Sequence, residues 1–243
     1  NLGYEAFFRG TKTIRENRVK YQCNIPWLIL FDPTSACNMH CVGCWAGEYG
    51  NKNNLSFEDM DKIVTEGKEL GVYLYMLTGG EPLVRKNVAQ LVAGLKAIPG
   101  IRKVTMTTNG MLIDDDVIDF CNKECHNVVL SLDGRKEVHD RFRKDYAGRG
   151  SYDAIVPKFQ EFVKKRGDKG YYMRGTFTHY NTDFTNDIFH MADLGFTELS
   201  MEPVVCDPSD PSALTEADLP ILKEQYEILA LSLIHISEPT RHA

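Results

Sequence analysis

The sequence predicts an α/β fold built as a six-stranded partial (β/α)6 barrel, with a flat doubly wound sheet as the alternative. Two patterns carry this. Six short apolar or β-rich runs alternate with six segments of helical periodicity across short turns, the arrangement in which βα units wind right-handedly into one parallel sheet. The stretches rich in Cys, Gly and Asn fall at the C-terminal ends of those runs, where barrel loops share one mouth.

The elements follow in order. From Leu2 to about Tyr21, Tyr4, Phe7, Phe8 and Ile14 among Arg and Lys suggest an amphipathic helix lying across one end of the barrel. Trp27 to Phe31 reads as a buried parallel strand. Ser56 caps a helix in which Phe57, Met60, Ile63, Val64 and Leu70 recur at helical spacing, and Gly71 stops it. Val72 to Leu77 is the next strand, Val88 to Ile98 a helix closed by Pro99-Gly100, and Lys103 to Thr107 the third strand. Asp114 to Asp116 open a helix with carboxylates where its dipole favours them, ahead of a strand from Asn127 to Leu132. Ser151 to Arg166 is helical, with Pro157 in its first turn or at a kink. Tyr171 to Thr178, a helix from Phe184 to Leu194, Glu198 to Val205, and a helix from about Glu216 to Ala230 complete the pattern.

At 243 residues, residues 1–26 form an N-terminal helical segment and 27–230 one barrel domain. A formal net charge of -6 argues against a nucleic-acid surface, and no apolar run is long enough to span a bilayer. The N-terminus lacks the order of a signal peptide, so a cytoplasmic location is expected. The chain begins at Asn1, which leads us to expect residues before it. Seven cysteines, an odd number, suit a reducing compartment better than a disulfide framework.

Three of those cysteines, Cys37, Cys41 and Cys44, lie within TSACNMHCVGCW. Thiolates so spaced can converge on a soft metal centre. Structural zinc wants four ligands, and the fourth would have to be His40 folding back within the loop. A four-iron cluster with one open iron satisfies the count without strain. Cys121 and Cys125, at helical spacing, read as a buried pair of small side chains. His139, His179 and His190 read as surface or packing residues, since nothing local sets a carboxylate beside them.

The spacing C-x-x-x-C-x-x-C, followed by Thr78-Gly79-Gly80-Glu81-Pro82, resembles the radical S-adenosylmethionine (SAM) enzymes over about 28–230. One departure is Gly43, where the family usually has an aromatic before the last cysteine; Trp45 is the nearest substitute. The resemblance implies a 4Fe-4S cluster on Cys37, Cys41 and Cys44, with SAM chelated at its open iron. One electron then cleaves SAM homolytically, and the deoxyadenosyl radical takes a hydrogen atom from substrate. It also implies an external electron donor, a reductase or flavodoxin-type protein.

The same resemblance places SAM contacts at the other strand ends. Gly79 and Gly80 offer backbone to its amino group, and Glu81 either holds that ammonium or fixes the turn. Asn109 sits in an N-G turn after the third strand. Ser131 and Asp133 alternate on the fourth and face one side, toward the ribose or carboxylate. Arg143 in HDRFR would clamp the carboxylate, with Arg141 as rival.

Substrate class divides along the chain. LTGGEPLVRKNVAQLVAGLKAIPGI resembles the GTP cyclase of molybdenum-cofactor biosynthesis. From Asn127 onward, VVLSLDGRKEVHDRFR, GSYDAIVPKFQ and LGFTELSMEPVV resemble the maturases that install thioether links in cysteine-rich SCIFF peptides, which favours a peptide substrate. Those maturases carry further clusters in a SPASM domain, and Cys206 is the only cysteine here beyond Cys125, so the piece is expected to lack it. An inactive chimera or a simple metal-binding module is the remaining alternative. Leu231 to Arg241, LSLIHISEPTR, breaks the helical pattern and resembles the conceptual translation of a transposon-type sequencing adapter. Residues 231–243 are therefore expected to be a foreign tail that packs poorly.

Overall fold

Six strands pair in parallel and in sequence order: Leu28–Phe31 (β1), Leu74–Leu77 (β2), Val104–Thr108 (β3), Asn127–Ser131 (β4), Gly170–Phe177 (β5) and Leu199–Pro203 (β6). The sheet curls into a half-barrel, as the alternation predicts, and the flat alternative does not apply. This computed structural model describes residues 8, 10–50, 52–98, 101 and 104–237. The expected helix over Leu2 to Phe7, the Pro99-Gly100 stop and Lys103 lie outside them.

Helices Phe57–Leu70 (α2), Val88–Ala97 (α3), Asp115–Glu124 (α4) and Tyr152–Arg166 (α6) cover one face of the sheet. Met60, Val64, Leu95, Ile118, Phe159 and Phe162 pack there against Tyr75, Leu77, Val104, Met106, Leu130 and Met173. Burying each such side chain stabilises by roughly 1.5–3 kcal/mol. The caps follow the sequence. Ser56 Oγ accepts the Asp59 N–H at 3.0 Å, Asp114 Oδ1 accepts the Val117 N–H at 2.9 Å, and Gly71 ends α2 at φ +103°.

Helix Thr11–Tyr21 (α1) lies by the C-terminal end of α2, where Asn17 Nδ2 donates to the Glu69 carbonyl at 3.3 Å. That end leads into the start of β2, so α1 sits opposite the mouth. Pro157 falls in the second turn of α6 and not the first; it forfeits only the bond to the Asp153 carbonyl. A short helix, Lys136–Phe142 (α5), was not expected, because seven residues are too few to show a period. Thr185–Asp193 (α7) and Leu219–Ser237 (α8) finish the order.

The backbone of α8 runs seven residues beyond Ala230, since Leu and Ile there favour helix well enough to extend it. Leu231 is nonetheless 61% exposed. Deleting 231–243 is expected to change stability by less than about 1 kcal/mol in urea titration; a larger loss would mean that the extension packs.

Candidate active site

The loop after β1 is held from two sides. On one, Gly80 N–H and Glu81 N–H donate to the Thr34 and Ala36 carbonyls at 3.1 and 2.8 Å. On the other, His40 and Val42 N–H donate to the Lys144 and Phe142 carbonyls at 2.8 and 2.7 Å. Tyr146 OH adds a bond to the Cys37 carbonyl, and the exposed His40 ring stacks on Tyr146. Gly43 at φ +71° turns the chain between Cys41 and Cys44, whose N–H bonds the Cys41 carbonyl. Trp45 begins a short turn, and its side chain lies outside the described residues.

The glycines serve this docking. A Cβ on Gly79 would stand 2.7 Å from Asp32 Cβ, and one on Gly80 only 2.2 Å from the Ala36 carbonyl oxygen. Glu81 is buried, its Oε1 accepting the Leu83 N–H and its Oε2 the Asn109 N–H at 3.1 and 2.7 Å. Burial pushes its carboxyl up to about 7 against those bonds. Of the two roles expected for Glu81, its observed bonds are those of fixing the turn.

Asn109 links the loops. Its Nδ2 donates to Asn38 Oδ1 at 2.8 Å and approaches Cys37 Sγ at 3.7 Å, while the Met39 N–H reaches the same sulfur at 3.4 Å. Asn38 had no sequence signal beyond its place inside the loop.

Asp133 and Arg143 pair two-pronged: Nε to Oδ2 at 2.6 Å and Nη2 to Oδ1 at 2.9 Å, with Thr176 N–H also on Oδ1. Burial raises the Asp133 carboxyl, but the Arg143 guanidinium outweighs it and holds the group below its usual range. The carboxylate-gripping edge of Arg143, expected to be free, is thus occupied by Asp133. The end of β4 and the end of α5 bring them together, which spacing alone does not show. Arg141 instead lies over the Tyr180 ring at 4.5 Å. Ser131 is buried two residues before Asp133, and its hydroxyl has no partner among the described residues.

Burial pushes the Cys37 thiol up, with the Met39 N–H and Asn109 acting against it. Burial also carries Cys41 up to about 11, and Arg143 pulls the other way. The three sulfurs lie within electrostatic reach of one another, and Cys41 and Cys44 within reach of Arg143.

The histidines divide. His179 Nδ1 lies 2.9 Å from Asp218 Oδ1, so a carboxylate does stand beside it, brought by the loop before α8. His190 meets the Tyr152 hydroxyl at 2.6 Å. His139 is fully buried; its Nδ1 accepts the Asp133 N–H and its Nε2 lies 2.9 Å from Ser151 Oγ. Burial lowers its value to about 4, so the folded state holds it neutral. Stability is therefore present above about 6.5 and lost as pH falls from there toward 4. Urea titrations should show the wild type losing about 3 kcal/mol more than His139→Gln across that window; equal losses would contradict it.

Cys121 and Cys125 are buried in the core, over an Arg166 that donates to both of their carbonyls.

A parallel half-barrel with a three-cysteine loop at its mouth, braced by a Gly-Gly-Glu turn, defines a class of cluster-dependent enzymes. The chain belongs to the Radical SAM superfamily, whose profile matches residues 31–191. That family uses a 4Fe-4S cluster and SAM. GTP 3',8-cyclase of Clostridium perfringens (strain 13 / Type A) is 30% identical over 135 residues, 54% of this chain and 41% of the relative. The Thermodesulfovibrio yellowstonii cyclase is 38% identical over 112 residues, 44% and 34%. Among solved structures, anSMEcpe with bound AdoMet matches at TM-score 0.74 and 19% identity, covering 88% of this chain and 62% of that one. Streptococcus suis SuiB bound to S-adenosylmethionine matches at 0.71 and 18%, covering 93% and 52%. These two likenesses show the fold. The chain spans less than two thirds of each of these proteins.

Cys37, Cys41 and Cys44 are free thiols on one loop, the donor chemistry that a 4Fe-4S cluster takes. The His40 ring is turned onto Tyr146. Among the described residues, no helix is long and apolar enough to cross a membrane.

Proposed function

We propose that the chain is the catalytic half-barrel of a radical SAM enzyme that modifies a peptide. The observation that carries it is the joining of the Cys37 loop, Asn109 and the Asp133–Arg143 pair at one mouth of the sheet. Cys37, Cys41 and Cys44 would hold the cluster. Gly79, Gly80, Asn109, Ser131 and Arg143 would meet SAM, with Glu81 and Asp133 setting the turn and the guanidinium. Arg143 Nη1, which Asp133 does not engage, is the donor left for the SAM carboxylate. When bound, cluster and SAM supply one-electron cleavage and with it hydrogen-atom removal from substrate. The protein's share is orientation and exclusion of water.

A peptide substrate is supported by the breadth of the structural likeness, since its members include anSMEcpe with the Kp18Cys peptide and SuiB with precursor peptide SuiA. A thioether cross-link is the modification the sequence favours. The cyclase reading rests on the 30% identity with the Clostridium perfringens enzyme. Anaerobic reconstitution with iron and sulfide, reduction by dithionite in place of a flavodoxin-type donor, and assay of SAM turnover test the proposal. Deoxyadenosine formation is the expected result. Its absence from a protein loaded with cluster would overturn it, and conversion of GTP would favour the cyclase.

A further inference from the structure

Helices α2, α3, α4 and α6 cover one face of the sheet, while Thr105, Val129 and Ser131 on the other are buried within its concave curve. Tyr75, Val104, Met106, Leu130 and Met173 point into the covered core, so the alternate residues of each strand look to the concave, helix-free face. Among the described strand residues on that face, only Arg174 of β5 and Glu202 of β6 are charged. They pair, Arg174 Nε donating to Glu202 Oε1 at 3.2 Å and Nη2 to Oε2. Their side chains are 41% and 47% exposed, so a ligand can reach them. In register, Arg174 stands beside Ser131, and Glu202 beside Thr176, whose N–H holds Asp133. The pair thus lies one step below the Asp133–Arg143 ledge. Exposed ion pairs contribute little to stability, so a stabilising role does not account for the face's two charges.

We propose that Arg174 and Glu202 select the substrate by taking a neutral carboxamide of a peptide, its carbonyl oxygen on Arg174 and its N–H on Glu202. Each charged group keeps donors or acceptors beyond those used in the pair, and a carboxamide offers the complement of both. Polyanions are disfavoured, because Arg174, the one cation among the described strand residues of this face, is already paired with Glu202. This rests on the peptide reading above.

The test uses the full chain and two probes, GTP and capped cysteine-centred hexapeptides with one flanking position set to Gln, Glu or Lys. Retention is measured by equilibrium dialysis and mass spectrometry. The wild type should retain Gln peptides over Glu and Lys peptides by about tenfold, the worth of one charge-assisted hydrogen bond. Glu202→Gln should shift preference to Glu peptides and gain GTP binding, and Arg174→Gln should shift it to Lys peptides. The double swap, Arg174→Glu with Glu202→Arg, restores the pair and should restore the Gln preference. Peptides retained with one profile by all four proteins would overturn the role of the pair and leave the peptide reading standing. Saturable GTP binding by the wild type, or no peptide retained by it, would overturn both.

Discussion

Replacing Arg143 with alanine is expected to destabilise the fold by about 3–5 kcal/mol, the cost of stranding a buried carboxylate whose ionic partner has been removed. Asp133 is only 4% exposed, and its other acceptor bond comes from the Thr176 N–H, which cannot supply a charge. Arg143→Lys should lose less, because it keeps the charge while giving up the planar two-pronged geometry. Asp133→Asn also removes the buried charge and should rescue part of the Arg143→Ala loss, which a double-mutant cycle would read. Urea midpoints at unchanged m-value measure all three. A loss below about 1 kcal/mol for Arg143→Ala would mean that the carboxylate reaches water.

Gly80→Ala is expected to cost roughly 2–4 kcal/mol and to strip iron from the reconstituted protein. A methyl group there would stand 2.2 Å from the Ala36 oxygen and 2.9 Å from the Ser35 carbonyl carbon, both backbone atoms that move only with the segment leading to Cys37. The same contact would weaken the Gly80 and Glu81 bonds to that segment. Gly47→Ala is the control, since its Cβ would meet nothing within 4 Å and should change stability by less than about 0.5 kcal/mol. Equal effects at the two positions would remove the steric argument.

Much of this architecture is legible in the sequence because it is written locally. Ser56 and Asp114 cap where their residue types predict, apolar runs become strands, and the Cys, Gly-Gly-Glu and Asn-Gly stretches fall at strand ends. What stayed hidden depends on chain segments meeting across distance. Nothing near Arg143 signals that Asp133 takes its fork, nothing near His179 signals Asp218, and α5 is too short for periodicity to reveal it. Arg135 shows the same limit: it reaches Asp183 and Asp187, 48 and 52 residues away, tying the loop after β4 to α7. The Arg174–Glu202 pair was partly within reach, because strand alternation already set the two residues on the face opposite the apolar ones.

The central claim is that Cys37, Cys41 and Cys44 jointly hold one cluster at the mouth of the sheet. Single alanine replacements at these three positions, with Cys23→Ala and Cys206→Ala as exposed controls, should be reconstituted anaerobically and compared for iron, sulfide and visible absorbance. The account predicts about four irons per chain in the wild type and both controls, and loss of the brown chromophore in each of the three variants, since two thiolates do not retain a cuboidal cluster with an open site. Unchanged iron and absorbance in any one of Cys37→Ala, Cys41→Ala or Cys44→Ala would contradict it.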